Sequence, residues 1–181
     1  MYPALGLIEV SSIARGLVVT DACVKKAHVR LIESKPISPG RYLTLFWGSV
    51  AEVEEAWREG VAVAESTRVD DLFLPGANES LLESLLGLAG PVNVDSLGII
   101  ETFSVASTLL SVDAACKAAQ VRLLELRLAT GLGGKSYYIV TGELHDVEAG
   151  VEAGTAIIAD SQLQRVEIIP QPATDFTEFV W

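Results

Sequence analysis

Apolar residues along this chain fall into short blocks whose spacing alternates between strand-like and helix-like. Ala4–Val10 is a continuous apolar run of strand length. Val18–Ala27 is rich in small residues and predicts a helix, and Val29–Lys35 mixes Val29 and Leu31 with Arg30 and Glu33 and reads as a strand. Arg41–Trp47 is rich in β-formers. Ser49-Val50-Ala51-Glu52 is a capping box, in which the Ser and Glu side chains satisfy each other's backbone N–H groups, and it opens a helix over Val50–Glu65. Val69–Leu74 is a strand stopped by Pro75, and Asn78–Leu86 is a short helix. The order is β-α-β-β-α-β-α.

The same order then starts again. Leu5-Gly6-Leu7-Ile8-Glu9 recurs as Leu97-Gly98-Ile99-Ile100-Glu101, an offset of 97 − 5 = 92. That offset also carries Asp21-Ala22 onto Asp113-Ala114, Lys25 onto Lys117, and Ala27–Leu31 onto Ala119–Leu123. It becomes 94 for Gly40-Arg41 on Gly134-Lys135, Gly48 on Gly142 and Gly60 on Gly154, and 95 for Leu74-Pro75 on Ile169-Pro170. Ordered matches at Gly, Pro and charged positions mark a duplicated module, and the two small shifts are loop insertions. The domains read as 1–88 and 96–181, with 89–95 as a linker containing Gly90-Pro91. The fold class is α/β in the broad sense (α+β), related to the ferredoxin-like split βαβ arrangement.

Composition narrows the function. The chain has 181 residues, half of them hydrophobic, and a formal net charge of −11. An acidic surface without a basic run repels phosphate backbones, so no nucleic-acid partner is expected. No apolar run is long enough to cross a bilayer and no secretory signal opens the chain, so a cytoplasmic, reducing location is expected. Cys23 and Cys116 lie in Ala-rich helical stretches and read as small core residues, too few for a disulfide framework or a closed zinc site.

Several motifs look chemical and are better read as structure. Ala129–Ser136, ending Gly-Gly-Lys-Ser, fits a relaxed phosphate-loop pattern. A phosphate loop needs a helix N-terminus directly after it, whereas Tyr137–Thr141 reads as a strand. His28 and His145 are the two histidines, and neither lies near a candidate nucleophile in sequence, so both read as surface residues. Glu9 and Glu101 end matching strands, and their equivalence points to a shared structural bond to a backbone group or an Arg rather than to acid–base work. No catalytic residue, no metal ligand and no enzyme activity are expected.

The ordered set of Ala4–Glu9, Asp21–Ala27, Ile37-Ser38-Pro39-Gly40, Gly48 and Ile169–Pro172 resembles the bacterial microcompartment shell domain, twice over nearly the whole chain. The arrangement is similar to the tandem class, which implies a structural shell subunit: a homotrimer that mimics a hexamer, with a central pore for polar metabolites. Within that class it looks most like the iron–sulfur shell protein of propanediol-utilisation compartments. The resemblance implies pore-lining loops at Ile37, Ser38, Pro39 and Gly40 and at Gly131, Leu132, Gly133 and Gly134, and tile-edge lysines at Lys25 and Lys117. Implied partners are further copies of the chain, other shell proteins edge to edge and small polar solutes, with no membrane. In the iron–sulfur relative a cysteine precedes Pro-Gly; here Ser38 stands there, and a hydroxyl is a poor iron ligand, so no cluster and no other cofactor is expected. An oligomeric ferredoxin-like sensor of a small molecule is the alternative; it needs neither edge lysines nor a Pro-Gly pore loop.

Overall fold

The computed structural model describes residues 3–90 and 93–177. Its contacts divide the chain into two compact units. The first runs up to Ala77 and includes Thr130–Gly134; the second takes Asn78–Ala129 and the chain from Lys135 onward.

In the first unit β1 (Ala4–Val10), α1 (Ile13–Lys26), β2 (Arg30–Ile37), β3 (Arg41–Gly48), α2 (Val50–Ala64) and β4 (Arg68–Leu74) follow in order. The sheet order is β2-β3-β1-β4, and every neighbouring pair is antiparallel. This is the split βαβ order expected from the sequence. Strand β1 is central and buried along its whole length. Alternate residues point to opposite faces, so Ala4, Ile8 and Val10 join Val19, Cys23, Val53 and Ala56 of the two helices in one core. Helix α1 begins five residues earlier than expected, because Ser12 caps it by accepting the Arg15 N–H. The capping box at Ser49 and Glu52 is present with both bonds.

The second unit repeats the plan with β5 (Ser96–Thr102), α4 (Val105–Ala118), β6 (Arg122–Leu128), β7 (Ser136–Gly142), α5 (Leu144–Ala156) and β8 (Leu163–Ile169), in sheet order β6-β7-β5-β8. The short helices α3 (Glu79–Leu85) and α6 (Thr174–Thr177) follow β4 and β8. Helix α3 packs against α4 and β6, burying Leu81 and Leu82. Its cap residue Asn78 donates its backbone N–H to Asp113 Oδ1 at 2.7 Å and its side-chain amide to the Cys116 carbonyl at 3.3 Å.

The duplication extends to irregularities. The register slips between Glu9 and Val10 and again between Glu101 and Thr102, and between Leu31 and Glu33 and again between Leu123 and Glu125. Bulges re-aim strands and persist as built features, so their recurrence 92 residues apart marks one architecture used twice. The shift to 94 falls between β6 and β7, and the shift to 95 falls after α5, both outside the sheets.

Gly6 is where the first sheet admits no side chain. It pairs with Phe46 across β1 and β3, and a Cβ on Gly6 would lie 2.3 Å from the Phe46 ring. Phe46 is itself fully buried in the core. Gly6→Val is expected to destabilise the protein by about 1–3 kcal/mol or more through overpacking, read as a lower urea midpoint with an unchanged slope.

Candidate pore loops and assembly surfaces

The two strand-to-strand loops singled out by sequence occupy equivalent places, between β2 and β3 and between β6 and β7. In the first, Ile37 is buried and anchors the loop, Ser38 is partly exposed, and Pro39 and Gly40 are exposed. Ile37 therefore offers its side chain to the core rather than to a channel. Gly40 has φ +72, and no atom lies within 4 Å of where its Cβ would be, so the glycine serves the backbone turn alone. In the second loop Ala129, Gly131, Gly133 and Gly134 all have positive φ, a conformation that glycine adopts readily. Strand β7 starts at Ser136 directly after it, so the Gly-Lys-Ser stretch lacks the helix that a phosphate loop requires.

Thr130–Gly134 belongs to the first unit by its contacts. A Cβ on Gly134 would sit 3.0 Å from Pro39 Cδ and 3.5 Å from the Ser38 carbonyl oxygen. The fold thus brings the Ser38–Gly40 tip and the glycine-rich tip together, although 94 residues separate their equivalent glycines.

Each loop is anchored at its base by an ion pair. Arg41 Nη1 donates to Glu9 Oε1 at 2.6 Å, and Glu9 is buried. In the second unit Lys135 Nζ meets Glu101 Oε2 at 3.5 Å on a more exposed surface. Glu9 and Glu101 therefore hold the cation that follows the loop glycine. The sequence indicated a shared structural role for the two glutamates; it did not pick out Arg41 and Lys135 as their partners, although both matched at the same offset.

Lys25 and Lys117 lie in the last turns of α1 and α4 and pair one helical turn back with Asp21 and Asp113, each at 2.6 Å. Asp21 is exposed, whereas Asp113 is buried. His28 is exposed and lines an open cleft with Arg30, Trp47 and Glu52; His145 is exposed beside Glu143 and Asp146. Cys23 on α1 and Cys116 on α4 have thiols pushed up to about 12, in both cases chiefly by burial, so both stay protonated at neutral pH. Among the described residues no cluster of three or more His, Cys, Asp or Glu side chains could hold a metal ion. The loop tips offer a hydroxyl and backbone groups, and both thiols sit on helices, so this donor set does not suit an iron–sulfur cluster. Among the described residues no helix is long and apolar enough to cross a membrane.

The loop anchors differ in depth, and this has a measurable consequence. Arg41→Ala removes the cation from a buried carboxylate and is expected to cost about 1–3 kcal/mol. Lys135→Ala breaks a longer, more exposed pair and is expected to cost less than about 1 kcal/mol. Paired urea melts check the asymmetry; equal losses would contradict it.

Comparison with known proteins agrees with this architecture. The BMC domain matches residues 4–76 and again residues 96–172. The chain is 36% identical over 173 residues to the bacterial microcompartment shell protein PduT of Citrobacter freundii, covering 95% of this chain and 94% of that protein. It is 29% identical to the carboxysome assembly protein CcmO of Synechococcus elongatus, over 97% of this chain and 67% of that one. A crystal structure of a microcompartment protein from Desulfitobacterium hafniense DCB superposes with a TM-score of 0.92 at 37% identity, covering 98% of this chain and 99% of that chain. A fused permuted hexameric shell protein from the RMM microcompartment shares the fold at a TM-score of 0.64 and 20% identity, covering 85% and 82%. With two BMC domains spanning most of its length, the chain belongs to the BMC-domain family as a tandem member.

Proposed function

We propose that this chain is a structural shell subunit of a bacterial microcompartment, with no catalytic role, and that three copies close into a pseudohexameric tile around a central pore. Tandem BMC domains, together with likeness to a shell protein over nearly the full length of both chains, carry this reading. Two modules per chain make three chains equivalent to a ring of six, and cyclic closure satisfies every head-to-tail edge. The tips at Ser38–Gly40 and Gly131–Gly134 would line the pore, and Lys25 and Lys117 would lie at the tile edge, where neighbouring shell proteins meet. Ser38 hydroxyls at a threefold axis offer donors and acceptors to a small polar solute. Light scattering should return a trimer at micromolar concentration, and electron microscopy should show flat sheets or tubes. Lys25→Ala should keep the trimer, since an exposed helix-surface change costs little stability, while sheets thin or vanish. A parent that stays monomeric defeats the trimer, and a variant that tiles as the parent does defeats the edge role of Lys25.

The same reading extends to the cofactor. The purified protein should carry no iron, because Ser38 stands where a thiolate would be needed. Ser38→Cys should then supply one thiolate per chain at the axis, and anaerobic reconstitution with iron and sulfide should give a brown protein with visible absorbance. Iron in the unaltered protein, found by elemental analysis, would overturn this.

A further inference from the structure

The two units differ most where their equivalent helices face outward. Along α4, Val105, Leu109 and Asp113 are buried, as is Leu123 on the adjoining strand β6. Their partners by the 92-residue offset are Ile13, Leu17, Asp21 and Leu31, and all four are exposed. The contrast is sharpest at Leu17, which is 57% exposed, against Leu109 at 0%. An exposed helix face carrying Ile13, Leu17, Val18 and Val24 has the composition of a buried one.

In the second unit a helix packs on this side of α4 and β6. That helix is α3, which follows the first sheet in the chain, and the Asn78 N–H bonds to Asp113 Oδ1 while Lys117 bonds to Oδ2. In the first unit Asp21 Oδ2 carries the equivalent lysine at 2.6 Å. The segment equivalent to α3 follows β8: by the 95-residue offset Asn78 falls on Ala173 and Leu81 on Phe176. Leu81 is fully buried, whereas Phe176 is among the exposed large apolar residues. The outer face of α1 and the apolar residue of the segment after β8 are therefore both exposed.

We propose that the outer face of α1 and β2 is the docking site for the segment after β8 of a second copy of this chain. Phe176 then rests on the face that carries Leu17, as α3 packs on α4 and β6 in the second unit, and the Ala173 N–H reaches Asp21. Each module's trailing helix covers the next module, within the chain after β4 and between chains after β8. The contact is head-to-tail, so it repeats until a ring closes. The inference rests on the trimer proposed above and names the segment and face that join its chains.

Disulfide trapping tests it in the full-length chain. In a Cys116→Ser background, with buried Cys23 retained, Leu17→Cys and Phe176→Cys are combined and the protein is mildly oxidised. Covalently linked chains up to a three-chain species on a non-reducing gel, collapsing on reduction, are expected. Single-cysteine chains with different tags, co-expressed, should give a linked pair only when one carries each substitution. A trimer by light scattering whose thiols stay free, or close within one chain, overturns this inference and leaves the trimer standing. A monomeric parent overturns both. Leu17→Asp gives a second readout, because the residue is exposed in the single chain. It should leave the far-ultraviolet circular dichroism unchanged and weaken trimer association by about tenfold or more; an unaltered trimer contradicts the docking site.

Discussion

The packing of α3 on α4 and β6 is the contact on which the rest of the architecture depends. A four-stranded sheet with two helices on one face buries little surface for its length. Helices α1 and α4 carry apolar residues on their outer sides as well, so each needs another layer. The chain provides that layer to the second unit by leaving the first sheet abruptly. Pro75 follows β4, Gly76 turns the backbone at φ +66, and Asn78 caps α3 with its own side chain while its N–H reaches Asp113. A buried carboxylate that accepts one backbone N–H and one lysine is satisfied on both oxygens. The first unit has the same aspartate and lysine, so the chemistry of that junction exists twice in the sequence.

The loop tips rest on the same economy of repeated parts. Strand register fixes where each loop leaves the sheet, and the recurrent bulges keep it the same in both units. A carboxylate on the central strand then holds the first residue after the loop, Arg41 by Glu9 and Lys135 by Glu101. With both ends held by strands, a short turn has little freedom to wander. In the pore proposed above, that constancy would set the bore, which depends on where the tips stop.

Most of the secondary structure was legible in the sequence because each module obeys local rules. Apolar runs, one capping box and strand-ending prolines placed nearly every element within a few residues, and repetition supplied a second reading of each. Helix α1 is the informative miss. Its first turn, Ile13 to Leu17, shows no amphipathic pattern, because residues on its outer side are as apolar as those on its inner side. Period-based reading assumes that the outer face of a helix meets water. The Glu9–Arg41 pair was half legible: the repeat marked both residues, but which cation a buried carboxylate meets depends on strand register, here Val10 opposite Tyr42. The nearness of Gly134 to Pro39 was not legible at all, since nothing local connects residues so far apart in the chain.

That last contact shows what two non-identical modules allow. Pro39 gives the first tip a bulky ring, and Gly134 approaches it so closely that an added Cβ would be 3.0 Å away. Gly134 also sits at φ +93, so a side chain there would be strained as well as crowded. The first loop's glycine, Gly40, is the equivalent residue, yet nothing approaches it. The two glycines thus occupy one repeat position for different reasons, one to turn the backbone and the other to admit a neighbouring proline as well. A single module repeated around a ring would have to meet both demands with one loop. Duplication within a chain removes that requirement, so the first loop can carry a hydroxyl at Ser38 while the second leaves room for Pro39 at Gly134 alone.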